Sequence, residues 1–146
     1  MKSLNSFSLI APCGLNCALC RAYLRSKNKC PGCRADYADK PVTRSRCKIK
    51  NCQIRQNGKM KFCISCSCLP CPDLKRLDKR YRSKYNMSVV ENLEHIKKFG
   101  IKKFVKNEKA RWTCSECGDT ICVHQAACIG CGKKAERIQA LFAENC

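Results

Sequence analysis

The chain has 146 residues, 17 of them cysteine, with 30 Lys or Arg against 11 Asp or Glu and a formal charge of +19. A length near 150 fits one compact domain or two small ones, and the 45% hydrophobic share shrinks steeply once cysteine is set aside, so the apolar core is thin and the cysteines are expected to staple the fold. No apolar stretch approaches the roughly 18 residues of a membrane span, which excludes a membrane-spanning protein.

Residues 1–11 carry one Lys and a broken apolar run of Phe7, Leu9, Ile10 and Ala11, so no secretory signal is read there. The expected setting is cytoplasmic, where thiols stay reduced and cysteine clusters bind metal more often than they form disulfides. Cysteine divides the chain into blocks: 11 lie in residues 1–71, none in 72–113, and six in 114–146. The expected organisation is a Cys-rich metal-binding domain over 1–72, amphipathic basic helices over 73–112 and a zinc ribbon with a short terminal helix over 113–146.

In the first block Pro31, Gly32, Pro41, Asn57, Gly58 and Pro70 interrupt the chain every few residues, which predicts loops and short elements around metal. One helix is expected from Ala18 to about Lys27, carrying Leu19, Tyr23 and Leu24 and capped by Asn16. Pro72 and Asp73 open a second helix, with Leu74, Leu77 and Tyr81 on one face, running to about Tyr85. Ser88 with Glu91 reads as a capping box for a third helix over 88–99, with Val89, Leu93 and Ile96 inward and Gly100 at its end. Ile101, Phe104 and Val105 begin a fourth, ending before Trp112. Ala135, Ile138, Leu141 and Phe142 suggest the terminal helix. His95 reads as a flank residue of the third helix, not as a catalytic one.

Six cysteine pairs have two residues between them. Two cysteines so spaced on a tight turn can aim both sulfurs at one ion about 2.3 Å away, and two such turns complete a tetrahedral site. The most specific case is Cys114 and Cys117 with Cys128 and Cys131. Each of these knuckles is followed by Gly (Gly118, Gly132), where the turn needs positive φ, so a zinc ribbon with these four ligands is expected. Cys122 and His124, inside the intervening loop, read as spare.

The first block holds Cys13, Cys17, Cys20, Cys30, Cys33, Cys47, Cys52, Cys63, Cys66, Cys68 and Cys71, enough for two four-cysteine sites with three left over. Spacing alone leaves the pairing open. Cys17/Cys20 with Cys30/Cys33 and Cys47/Cys52 with Cys63/Cys66 is the simplest sequential choice, and an interleaved arrangement using Cys13 and Cys71 is the alternative. About three zinc ions are expected in all.

An iron–sulfur cluster in this block is the competing reading. Cys13, Cys17 and Cys20 have radical-enzyme spacing, but the chain lacks room for the barrel such enzymes need. Cys63, Cys66, Cys68 and Cys71 before Pro72 approximate a ferredoxin run, yet it is one residue short at two places. Thiol redox catalysis lacks its strand–helix setting. An open catalytic zinc would have only Asp36 and Asp39 as acids in this block, so no enzyme is assigned.

The Cys13-Gly14-Leu15-Asn16-Cys17-Ala18-Leu19-Cys20 opening, the Cys30-Pro31-Gly32-Cys33 knuckle, Cys47-x4-Cys52 and the Phe62-Cys63 to Pro70-Cys71 segment resemble a family of small Cys-rich bacterial and archaeal proteins, the domain of unknown function 3795. The likeness covers about residues 11–80, and it extends through the helices, Trp112 and the ribbon in longer members. The resemblance implies metal binding through Cys13, Cys17, Cys20, Cys30, Cys33, Cys47, Cys52, Cys63, Cys66 and Cys71, and no established activity. Cys68 falls outside the family pattern, and Cys146 reads as a free thiol.

Of the 30 basic residues, 26 lie in residues 21–112, where only seven acids accompany them. If nucleic acid or another polyanion is a partner, these residues should carry the contact. Tyr23, Tyr37 and Trp112 are the aromatics outside the helix stripes that could stack bases, and no docking motif is recognisable. Each four-thiolate zinc site carries a net charge of −2, so three would lower the total by about 6, to about +13. The expected fold class is a small metal-stabilised α+β or irregular protein, with a noncatalytic multi-zinc module as its function.

Overall fold

The structure is a computed structural model, in which residues 7–35 and 46–135 are described. It is α-rich, with a single two-stranded sheet among the described residues. The first block is built of turns, as its Pro and Gly content dictates. Single 3-10 turns lie at Phe7–Leu9, Cys17–Leu19 and Cys63–Ser65, and short helices at α1 (Arg21–Leu24) and α2 (Gln53–Asn57). Three longer helices follow: α3 (Pro72–Tyr85), α4 (Val89–Phe99) and α5 (Ile101–Trp112). Among the described residues, no helix is long and apolar enough to cross a membrane.

The long helices begin where their local chemistry requires. α3 starts with Pro72 in its first turn, where the missing N–H costs nothing, and ends at Asn86 in the left-handed conformation. Ser88 caps α4 by accepting the Glu91 N–H at 3.1 Å. The same hydroxyl donates to Asp78 of α3 at 2.7 Å, and Asp78 also accepts the Val90 N–H at 3.1 Å and pairs with Arg82 at 2.8 Å. One buried carboxylate therefore joins α3 to the start of α4, on the positive end of that helix.

The helix expected from Ala18 to Lys27 is broken. Asn16 does cap, its side chain accepting the Ala18 N–H at 3.1 Å, but Cys20 turns extended (φ −78°, ψ 133°) and separates a 3-10 turn from α1, which ends at Leu24. The α5 helix runs one residue further than expected and takes in Trp112. The expected terminal helix (Ile138, Leu141, Phe142), together with Asp36, Tyr37, Asp39, Pro41 and Cys146, lies outside the described residues.

The core draws on all three segments. Leu9, Leu15, Leu19, Leu74, Tyr81, Leu93, Trp112 and Val123 pack in one cluster, beside a smaller one of Ile10, Ile96, Phe104 and Val105. Backbone bonds tie the segments as well: Cys63 N–H donates to Pro12 O at 2.9 Å and Val123 N–H to Leu19 O at 3.1 Å. Gly14, at φ 91°, lets the Cys13–Cys20 loop lie against α4, because a Cβ there would meet Leu93 Cγ and Val89 O at 3.0 Å. Asn92 of α4 fixes that approach by donating to Gly14 O at 3.1 Å.

Candidate metal centre

Past Trp112 the chain makes a pair of knuckles joined by the sheet. Strands β1 (Ile121–Cys122) and β2 (Ala127–Cys128) pair antiparallel, with Ile121 opposite Cys128. Each knuckle closes by the same turn: Gly118 N–H donates to Cys114 O at 2.9 Å and Gly132 N–H to Cys128 O at 3.0 Å. Both glycines have positive φ, 77° and 75°, as their place after the second cysteine predicts.

This geometry brings the sulfurs of Cys114, Cys117, Cys128 and Cys131 within 4.8 Å of one another. Cys117 and Cys128 Sγ are 3.4 Å apart, and Cys114 and Cys131 Sγ 3.7 Å. A tetrahedral ion with sulfurs about 2.3 Å away spaces them about 3.8 Å apart, so the quartet fits a single ion with modest adjustment. Backbone N–H groups of Cys117 and Glu116 hold the Cys114 thiol down to about 7, while Cys117, against the Asp119 N–H, is pushed up by the neighbouring thiols, so the four sulfurs share protons as one set. The Gly130 N–H points at Cys128 Sγ from 3.4 Å, the kind of outer contact that orients a thiolate ligand. Four sulfurs would fill the coordination shell of a tetrahedral ion.

Cys122 and His124 stand apart from the quartet. Cys122 is buried. His124 joins three segments: its Nδ1 accepts the Arg21 N–H at 3.2 Å, and its Nε2 is 2.9 Å from the Tyr81 hydroxyl. With Nδ1 accepting, Nε2 carries the proton and donates to Tyr81. Tyr85 packs edge-on against the same ring at 4.8 Å.

In the first block the cysteines gather more loosely, and the C-terminal quartet is the one set of three or more ligating groups drawn within 4.8 Å among the described residues. Cys13 is buried beside Cys33, Cys47 and Cys63, and burial followed by those neighbours drives its thiol far up. Cys17 contacts Cys33, whose N–H points at Cys17 Sγ from 3.3 Å. Cys63 in turn neighbours Cys71, Cys52 and Cys66, its thiol pushed up to about 11 by burial against the pull of Arg55. Cys17 and Cys33 meet, while Cys47 is among the neighbours of Cys13 and Cys52 among those of Cys63. Cys63 is a neighbour of Cys13 as well as of Cys52, Cys66 and Cys71. Cys30 is buried and donates its N–H to Ala22 O at 2.8 Å, while Cys20 caps α1. Cys68 is exposed.

Several polar residues that spacing does not reveal support this block. Arg34 donates to Ile10 O and Lys61 O, each at 2.7 Å, and lies over the Phe62 ring. Arg55 donates to Lys50 O at 2.6 Å and Met60 O at 3.1 Å, and Lys50 Nζ to Ala35 O at 2.7 Å. Behind Asn16, which caps the Cys17 turn, sits the buried Glu108 of α5. The Asn16 amide and Trp112 indole lie beside this carboxylate without completing hydrogen bonds, and burial pushes it up to about 7 against the pull of Arg111. His95 is buried rather than flanking: Asn107 Nδ2 lies 3.0 Å from its Nε2, and burial with Lys103 holds it below the usual histidine range.

No curated protein and no solved structure matches the chain. Residues 9–76, from the first core residues to the opening turns of α3, match the family model described as Protein of unknown function (DUF3795).

Proposed function

We propose that the protein is a noncatalytic multi-zinc module whose ions stand in for a large core and whose basic helical face meets nucleic acid. The observation that carries it is the Cys114, Cys117, Cys128 and Cys131 quartet, whose sulfur spacing suits one tetrahedral ion and whose closed shell suits a structural one. An iron–sulfur cluster would spread its cysteines further, because iron and sulfide atoms stand between them. This quartet would form the zinc ribbon, and Cys13, Cys17, Cys20, Cys30, Cys33, Cys47, Cys52, Cys63, Cys66 and Cys71 would supply further sites, about three ions in all. Structural zinc contributes folding free energy directly, so a chelator is expected to unfold the chain. Anaerobic metal analysis with a visible spectrum tests the reading. Two or more zinc per chain in a colourless preparation is the expected result; fewer than two zinc, or brown colour, overturns it.

The nucleic-acid part is supported by how the cations are used. Arg34, Lys50 and Arg55 are committed to loop carbonyls, so the basic residues of the first block are partly internal. On α3, Lys75, Lys79 and Arg82 recur at i, i+4, i+7 and, with Ser83, line an open groove of about 410 Å³. Its one acid, Asp78, is already engaged by Arg82, Ser88 and Val90. Lys102, Lys106 and Lys109 repeat the same spacing on α5. Trp112 is buried and Tyr23 half-buried, which takes two of the three candidate stacking aromatics away from bases. The expected contact is therefore with the phosphate backbone, and affinity should fall steeply with salt. Binding unchanged between low and moderate salt would refute it.

A further inference from the structure

Between α2, the Cys63–Ser65 turn and the start of α3 lies a pocket of about 60 Å³ whose lining includes five thiols, Cys52, Cys63, Cys66, Cys68 and Cys71. That is one sulfur more than a tetrahedral ion accepts. In the C-terminal unit four sulfurs are already drawn together, so an ion binds with little rearrangement and is shut in. In this pocket the sulfurs are not gathered within 4.8 Å, so an ion must pull them inward and is held correspondingly less firmly.

The exposure of the thiols is graded. Cys52, Cys63, Cys66 and Cys71 are half-buried, whereas Cys68 is the one exposed thiol of the lining. Two cations also line the pocket, Lys48 and Arg55, the latter fixed by its bonds to Lys50 O and Met60 O, while the one acid of the lining, Asp73, is paired with Arg76. A divalent ion with four thiolates carries −2 and with a fifth approaching −3, so fixed positive charge at the wall favours just the crowded state that ligand exchange passes through.

We propose that this pocket holds an exchangeable thiophilic divalent ion of the zinc or cadmium class, with Cys68 as the entering ligand that carries the ion in and out. The proposal rests on the multi-metal reading above and adds a division of labour to it: a locked ion in the C-terminal unit and a transferable one here. In the exchange step Cys68 Sγ gives up its proton and bonds to the ion, while one of the four resident thiolates dissociates and takes up a proton. The ion thereby moves toward the exposed Cys68, where an external thiol or chelator can accept it. Charge and proton count are unchanged over the step.

The test uses the full chain, zinc-loaded and kept free of oxygen, mixed with a coloured pyridylazo chelator while total zinc is measured by elemental analysis. Wild type is expected to release zinc in a fast and a slow phase. Cys68→Ser should slow the fast phase about tenfold or more at unchanged zinc content, Cys66→Ser should lose the fast-phase ion, and Cys117→Ser the slow one. An unchanged fast rate in Cys68→Ser overturns the proposal. Loss of an ion in that variant also overturns it, since Cys68 would then be a resident ligand. So does iron–sulfur absorption assigned to this pocket. A wild type holding only one zinc brings down the multi-metal reading itself, whereas two or more ions leaving at one common rate sink this inference alone.

Discussion

Glu108 offers the sharpest test of how the core is assembled. It is fully buried on α5 between the Asn16 amide, the Trp112 indole and Arg111, and its carboxyl is pushed up to about 7 by burial. In the unfolded chain a glutamate titrates near 4.3. An acid whose folded value is raised favours the folded state while protonated, so its contribution is intact below about pH 4.3 and is lost as pH climbs to about 7. The loss proceeds at about 1.4 kcal/mol per pH unit and then levels off. Glu108→Gln keeps the shape and an acceptor oxygen for the neighbouring amide and indole but cannot ionise. Relative to wild type, the variant should therefore gain about 1.6 kcal/mol between pH 5.5 and 7 and only about 0.4 kcal/mol more from 7 to 8.5. Urea unfolding of the zinc-loaded proteins across that range measures it. Thiolate ligands titrate too, but equally in both proteins, so the difference isolates Glu108. A difference that stays flat with pH would refute the reasoning.

Asp78→Ala removes the acceptor for Ser88 and Val90 and the partner of Arg82, and should cost about 2 kcal/mol in chemical denaturation, an interaction with charged groups being worth more than a neutral one. His124→Phe preserves the ring against Tyr85 while stranding the Arg21 N–H and the Tyr81 hydroxyl. Amide exchange should rise in α1 and around β1 with zinc content intact, and a pattern confined to residues 114–131 would speak against the pinning role. Lys75→Gln with Lys79→Gln should lower the salt slope of nucleic-acid binding by about 2, roughly one per lost phosphate contact, and an unaltered slope would remove α3 from the interface.

What could be read ahead of the structure was local. Pro72 at a helix start, Ser88 as a cap and Gly118 and Gly132 after their cysteines each act within four residues, and each sits where its chemistry demands. The same is true of the C-terminal quartet, whose ligands are brought together by two turns and one short sheet. Reading fails where a residue's partner is distant. Trp112 ends its helix like an exposed aromatic, yet it is buried against residues of the first block. His95 pairs with Asn107 on the next helix. The helix after Asn16 obeyed its cap for one turn and then yielded at Cys20, which propensity had no means to register. In the first block, the gathering of Cys13 with Cys47 and of Cys52 with Cys71 depends on loops returning over 19 residues or more, and no spacing rule encodes that.

The charge of +19 is better understood as three populations than as one surface. Some cations are structural: Arg34, Lys50 and Arg55 hold the loops that carry the cysteines, and Arg82 holds the carboxylate that caps α4. Others would offset metal centres, since three four-thiolate sites would together carry about −6, mostly in the block where those arginines lie. A further group, which includes Lys75 and Lys79 on α3 and Lys102, Lys106 and Lys109 on α5, has no ion-pair partner among the described residues. The helices thus carry positive charge that no described carboxylate offsets. Removing metal should then act on nucleic-acid binding in two opposed ways: the lost thiolate sites make the chain more positive, while the lost fold scatters the lysine stripes. Tighter but salt-sensitive and unselective binding by the metal-free chain is the outcome that separates net charge from the arrangement of charge.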